Sequence, residues 1–243
     1  MFKWCGPSPL IPFLYLCPEF KSGQMNYLTL FNAVPPLRDA LPPSLASALA
    51  HQAELTELKP GQPLLQMKLN MPRVAFLANG FAAYSIDAAE AITNILPAAA
   101  WVALSFCLNP NSQPPSIWAL SHATIVTLPR EELLRAAYAS PQLALALTLS
   151  AADDARMAYA HLAALRTRSA EGRCAYVLLD LAERIYASSS FECALDQSML
   201  ASLAGLSRGA FSRALKALAA KGFISCERNS YRILEGEGLK GVK

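Results

Sequence analysis

The sequence has neither an H-E-x-x-H pair nor a phosphate-cradling G-x-x-x-x-G-K loop, the spacings that would hold a catalytic zinc or a nucleotide. No enzymatic activity is expected. The six cysteines, Cys5, Cys17, Cys107, Cys174, Cys193 and Cys226, are scattered, with no C-x-x-C pair. That is a poor disulfide framework and a poor zinc site, and free thiols suit a cytoplasmic protein. No apolar run reaches the roughly 18 residues that cross a bilayer, so no membrane partner is expected. Charged residues are scarce, at 16%, and internal repeats and low-complexity runs are absent.

What the chain does have is apolar content, 53% of its 243 residues, enough for a real core. The net charge is only +3, but it is unevenly placed. Residues 205–243 hold eight basic side chains against three acidic ones, a balance of +5 that leaves −2 for residues 1–204. A neutral body with a basic end is the asymmetry of a nucleic-acid binder. A solvated basic tail is the bland alternative. The greasy stretch "SPLIPFLYLC" (8–17) is short and broken by Pro9 and Pro12, at best a weak signal-peptide core. Residues 1–26 read instead as an N-terminal extension, disordered or a misassigned start, with a natural beginning at Met25.

"LPPSLASALAHQAEL" (41–55) reads as a short helix opened by Pro42 and Pro43. From Leu64 to Leu128 come short apolar segments such as "RVAFLA", "FAAYSI", "WVALSF" and "ATIVTL", with a hairpin signal at Asn79-Gly80. This predicts antiparallel β structure. The period then changes. A short helix is expected from Arg130 to about Tyr138, and a long one from Pro141 to about Arg168. The stripe Ala144, Ala151, Ala155, Ala158, Leu162 and Leu165 allows close helix–helix contact and predicts a parallel homodimer seam through residues 141–168. An intramolecular core helix is the alternative. Another helix is expected over 169–187.

The C-terminal stretch is the most informative. Asp196 is a good N-cap for a helix Gln197–Ala204, and Gly205 supplies a left-handed turn position. Ser207 caps a second helix, Arg208–Ala220, whose inner face carries Phe211, Leu215 and Leu218. Two helices joined by a short glycine-containing turn make a helix-turn-helix. "FISCERNSYRIL" then reads as a two-stranded wing turning near Arg228-Asn229. The outer face of the second helix presents Ser207, Arg208, Gly209, Ser212, Arg213 and Lys216. Its first turn is placed to enter a major groove, where an arginine can grip guanine O6 and N7. Lys216, Arg228 and Arg232 are placed to meet phosphates. Double-stranded DNA is the expected partner.

"GLSRGAFSRALKALAAKGFI" (205–224) resembles the helix-turn-helix signature of the CRP/FNR transcription regulators. "LKPGQPLL" (58–65), Gly80 and the 126–147 stretch fit the β-roll and following helices of that family. The resemblance covers about residues 27–240. It implies an α+β chain: an N-terminal antiparallel β-roll of the cyclic-nucleotide-binding-like jelly-roll type (27–140), a long dimerisation helix (141–168) and a C-terminal winged helix-turn-helix (169–243). It also implies a bacterial homodimer on a palindromic operator, with RNA polymerase as a further partner. Gly209 stands where the family commonly has glutamate, which removes an acceptor for a base amino group.

The sensor part departs further from the family. Ala103-Leu104 and Pro115-Ser116 stand where the family's cyclic-nucleotide pocket has a Gly-Glu pair and an Arg-Ser/Thr pair. Burying a phosphate without a cation is expensive, so control by cyclic AMP or cyclic GMP is not expected. An iron–sulfur cluster is not expected either, since only Cys5, Cys17 and Cys107 lie in this half. No cofactor is predicted, although His51, His122 and His161 leave haem open. Phe76, Phe81, Trp101, Ala103, Leu104 and Ser116, with Phe106, are the candidate walls of an apolar effector pocket. The rival from another class is a protein-docking module that uses the winged helix without reading DNA.

Overall fold

The computed structural model describes residues 43–64, 73–85, 91–109 and 115–243. The expected N-terminal extension, with Cys5, Cys17 and Met25, lies outside the described residues. Pro43–His51 forms α1, and Glu54–Leu58 forms β1. The expected helix thus stops before Leu55, which pairs as a strand residue with Val126. Then come β2 (Arg73–Asn79), β3 (Ala82–Ser85), β4 (Asn94–Leu96) and β5 (Ala100–Val102). A five-residue helix α2 (Leu104–Leu108) follows where continued strand was expected in "WVALSF". It is entered through Ala103 in the left-handed region at φ 49°. Strands β6 (Ser116–Ala119) and β7 (Ala123–Pro129) complete the β part.

These strands make two antiparallel sheets, ordered β1-β7-β2-β5 and β4-β3-β6. Asn79-Gly80 is a corner between them, not a hairpin: β2 pairs with β7 and β5, while β3 pairs with β4 and β6. Gly80 has φ +86°, and a β-carbon there would lie 2.4 Å from the His122 carbonyl oxygen. Only glycine allows that approach. The Phe81 N–H donates to Ser121 Oγ (3.0 Å) and the Leu120 N–H to the Phe81 carbonyl (2.9 Å), which closes the corner.

The second sheet uses both of its faces. Alternation along a strand sends successive side chains to opposite sides. Ala82, Leu96, Ile117 and Ala119 enter the core of the roll, with Phe76, Leu77, Val126 and Leu128. Ala83, Ile95 and Trp118 point the other way, into a second core that also holds Cys174, Leu178, Leu181, Leu200 and Phe211.

The helix α3 (Arg130–Ala139) leads into α4, Pro141–Thr167, as the sequence predicts. Pro141 occupies its first turn, and the Ser140 hydroxyl accepts the Leu143 N–H at 3.3 Å. At 1.5 Å per residue these 27 residues run about 40 Å. Leu143 and Leu147 bury in the core of the roll, and Ala164 is buried near the other end of the helix. The helix expected over 169–187 forms as α5 (Ala170–Asp180) and ends in one π-helical turn, Leu181–Ile185. The wing gains a strand: β8 (Ser190–Glu192) joins β9 (Ile224–Glu227) and β10 (Ser230–Ile233) in the order β8-β10-β9. Helices α6 (Gln197–Leu203), α7 (Arg208–Ala220) and α8 (Gly236–Gly241) fill out the unit. No described helix is long and apolar enough to cross a membrane.

Candidate nucleic-acid interface

The helix-turn-helix forms for local reasons. The Asp196 carboxylate accepts the Met199 N–H at 2.8 Å and starts α6. Gly205 ends it at φ +59°, with its own N–H on the Ser202 carbonyl and the Leu206 N–H on the Ala201 carbonyl, both at 2.9 Å. This left-handed close frees the chain to turn sharply. The Ser207 hydroxyl accepts the Ala210 N–H at 3.2 Å and starts α7. Phe211, Ala214, Leu215 and Leu218 bury its inner face against Leu200, Ala201 and Leu203. Leu206, in the turn, is half-buried.

This packing leaves the outer face of α7 open. Ser207, Arg208, Gly209, Arg213 and Lys216 are exposed, and Ser212 is half-buried. Arg228 and Arg232 are exposed on the wing, with Arg228 in the left-handed region at φ 51°. The β9-β10 turn therefore falls at Arg228-Asn229, as expected, with Glu227 opposite Ser230. None of these five cations makes an ion pair among the described residues. The pairs of the unit use other cations: Arg184 with Asp180, Lys221, held by Glu171, and Lys240, near Glu183 and Glu237. Lys221 lies in the same basic stretch, but it is turned back onto α5. A β-carbon on Gly209 would meet nothing nearer than Arg213 Nη1, at 3.7 Å.

Residues outside the expected set hold this face in place. From α5, the Arg173 guanidinium donates to the Arg168 carbonyl (3.1 Å) and reaches the Gly205 carbonyl (3.5 Å). It ties the turn to the end of α4. In the wing, Tyr231 stacks on Phe191 (5.8 Å), which stacks on Tyr186 (4.7 Å). Burial pushes the Tyr231 phenol up, and it stays neutral. The aromatic content of β8 and β10 was the signal that could have found this stack.

Two glycine spacings known from catalytic proteins do occur here. "GLSRG" (205–209) has the spacing of a serine-nucleophile elbow. Its serine is a helix N-cap within a helix-turn-helix, without the strand-to-helix turn such a site needs. "GEGLKG" (236–241) has dinucleotide-fingerprint spacing. It follows an antiparallel wing strand and lacks a parallel βαβ unit around it.

The candidate effector residues do not converge on one cavity. Phe76, Trp101, Ala103, Leu104 and Phe106 are buried together in the first core, with Phe76 edge-on to Trp101 at 5.2 Å. Phe81 packs on Tyr186 at 5.5 Å, beside the other core. Ser116 is exposed at a strand end. Among the described residues no three His, Cys, Asp or Glu side chains form a metal-binding group. His51 ends α1, His122 sits at the sheet corner and His161 lies on α4. Burial lowers the pKa of His161, which rests against Tyr176 at 5.7 Å. Burial also raises the Cys107 thiol to about 11, and Cys107, Cys174 and Cys193 are all buried.

Residues 172–242 match the Crp-like helix-turn-helix domain family. None of the curated proteins matches the sequence. The fold is similar to FixK2 from Bradyrhizobium japonicum, with 17% identity, 79% of this chain and 97% of that one covered, and a TM-score of 0.67. It is similar to a cyclic nucleotide-binding domain containing protein from Listeria monocytogenes, with 15% identity, 86% and 96% covered, and a TM-score of 0.65. It is also similar to the CRP/FNR-family transcriptional regulator TTHA1359 from Thermus thermophilus, with 20% identity, 77% and 97% covered, and a TM-score of 0.59. The C-terminal unit belongs to the Crp-like helix-turn-helix family, and the chain has the fold of the CRP/FNR transcription regulators.

Proposed function

We propose that this chain is a sequence-specific DNA-binding regulator of transcription that works as a homodimer. The observation that carries the reading is the exposed basic face of α7, Arg208, Arg213 and Lys216, without ion pairs among the described residues and flanked by Arg228 and Arg232 on the wing. Two such helices, one per protomer, suit successive major grooves of a palindrome about one helical turn apart. Base reading falls to Arg208, Gly209, Ser212 and Arg213, with Ser207 beside them at the start of the helix. Phosphate contacts fall to Lys216, Arg228 and Arg232.

The dimer reading rests on α4. Leu145, Leu149, Tyr159 and Leu162 are 59%, 49%, 72% and 50% exposed on this helix. An apolar face of that extent on one helix is what a second copy covers. The stripe expected as the seam is rotated in part: Ala144 and Ala151 are half-buried within the protomer, whereas Ala155, Ala158 and Leu162 are exposed.

Control by cyclic nucleotides is not part of this reading. Leu104, in the position expected for a ribose-binding glutamate, is buried among apolar side chains. The test is selection of purified, ligand-free protein against random duplex DNA at near-physiological salt, because low salt favours nonspecific binding. Enrichment of a two-fold symmetric motif is expected. A folded protein that enriches nothing sinks the ligand-independent reading and promotes the docking module.

A further inference from the structure

We propose that Arg184 is a positioning residue for DNA recognition, clamping the winged-helix unit to the outer face of the β4-β3-β6 sheet. The proposal rests on the DNA-binding reading above. Arg184 sits in the π-helical turn that follows α5. Such turns occur mostly as single insertions, often at functional sites. Its guanidinium grips Asp180 through Nε (2.9 Å) and Nη2 (2.7 Å). The remaining reach of the fork crosses to the β-roll. Nη1 donates to the Ile95 carbonyl at 2.6 Å, and Nη2 donates to Asn94 Oδ1 at 3.2 Å. Its side chain is only 17% exposed.

The apolar surroundings make the same connection. Ala83, Ile92 and Ile95 of the β-roll are buried in the core of the C-terminal unit. Phe81 lies against Tyr186, one residue past the π turn, and the stack continues through Phe191 to Tyr231 of the wing. A charged fork and an aromatic row thus fix the unit at two places. The clamp leaves the reading face of α7 exposed, so the clamped arrangement is one that can meet DNA. Holding it removes the orientational freedom that binding would otherwise have to freeze. If only a fraction of molecules hold the competent arrangement, apparent affinity falls by that fraction.

The experiment uses the full chain and the duplex that the wild type selects. Affinity is read by fluorescence anisotropy across a salt series, with thermal unfolding as the check on folding. Arg184→Met is expected to bind about tenfold more weakly. Arg184→Lys keeps the charge but loses the fork and is expected to weaken binding too. Asn94→Ala, on the β-roll, is expected to weaken binding by a smaller factor. The double variant should lose less than the product of the single effects, because the two residues share one bond. The salt slope should stay that of the wild type, since Arg184 touches no phosphate.

Folded Arg184→Met protein that binds as tightly as the wild type overturns the clamp. A silent Asn94→Ala, together with a shallower salt slope for Arg184→Met, also overturns it and makes Arg184 a phosphate contact. Wild-type protein that selects no duplex overturns the DNA reading itself, a result separate from either.

Discussion

Gly205 lies directly against Leu165: a β-carbon on the glycine would sit 3.0 Å from the leucine Cδ2. The turn of the helix-turn-helix therefore rests on the end of the long helix. Gly205→Ala forces an alanine to φ +59°, at about 1–2 kcal/mol, and pushes on Leu165 as well. Denaturant unfolding should show a loss of at least that size. An unchanged midpoint would mean that the turn is not held as described.

Arg213 separates a groove reader from a docking module. Arg213→Ala should weaken binding to the selected duplex by about 1–3 kcal/mol and relax preference at one base position of each half-site. The residue is exposed and makes no ion pair among the described residues, so thermal stability should stay near that of the wild type. Equal affinity on selected and scrambled duplexes, before and after substitution, would favour docking.

A β-carbon on Gly209 would meet only Arg213 Nη1, at an ordinary 3.7 Å, and the residue sits in the first turn of α7. Gly209→Glu should stabilise the protein, by roughly 0.5–1 kcal/mol for replacing a helical glycine and a few tenths more for an acid at a helix N-terminus. It also restores an acceptor for cytosine or adenine amino groups. Repeating the duplex selection should return a changed half-site. The same motif from both proteins would place this position away from the bases.

Leu149 projects from α4 at 49% exposure, in line with Leu145. Leu149→Glu places a charge in the proposed seam without disturbing the core of a protomer. Sedimentation velocity should show a shift from dimer to monomer, with duplex affinity falling alongside it. A wild-type sedimentation coefficient for the variant would move the seam elsewhere.

Tyr231 carries a buried hydroxyl with no partner among the described residues, on a side chain that is 2% exposed. Leaving a hydroxyl dry and unpaired costs about 1–3 kcal/mol. Tyr231→Phe keeps the stack on Phe191 and should raise the melting temperature by about 2–4 °C per kcal/mol recovered. A drop would reveal a partner for the oxygen.

The C-terminal unit was legible because its determinants are local. Asp196, Gly205, Ser207 and the Phe211–Leu215–Leu218 spacing act within a few residues of themselves, and the structure bears out each of those elements. The long helix declared itself through Pro141 and its unbroken period. Elsewhere the deciding contacts are distant in sequence. Leu55 fits either a helix or a strand until Val126 pairs with it. Asn79-Gly80 has hairpin composition, but the crowding at the His122 carbonyl makes it a corner. The third wing strand at Ser190–Glu192 exists only because β10 offers it an edge. The apolar residues expected to wall a pocket are equally good core residues, and nothing local distinguishes the two. Arg184 gave no sign of reaching Asn94 and Ile95, some ninety positions upstream.

The two-faced sheet has a consequence for anyone who divides this molecule. A fragment beginning at α5 would retain the whole helix-turn-helix and wing, yet its core would lose Ala83, Ile92 and Ile95, which come from the β-roll. Cutting there uncovers Leu181 and Ile185 and strands the guanidinium of Arg184 without its carbonyl acceptor. Such a piece would carry a sticky apolar scar beside the exposed cations of α7, and its behaviour in a DNA-binding assay would be a poor guide to that of the intact chain. Function here belongs to the uncut polypeptide, because its two halves share a wall.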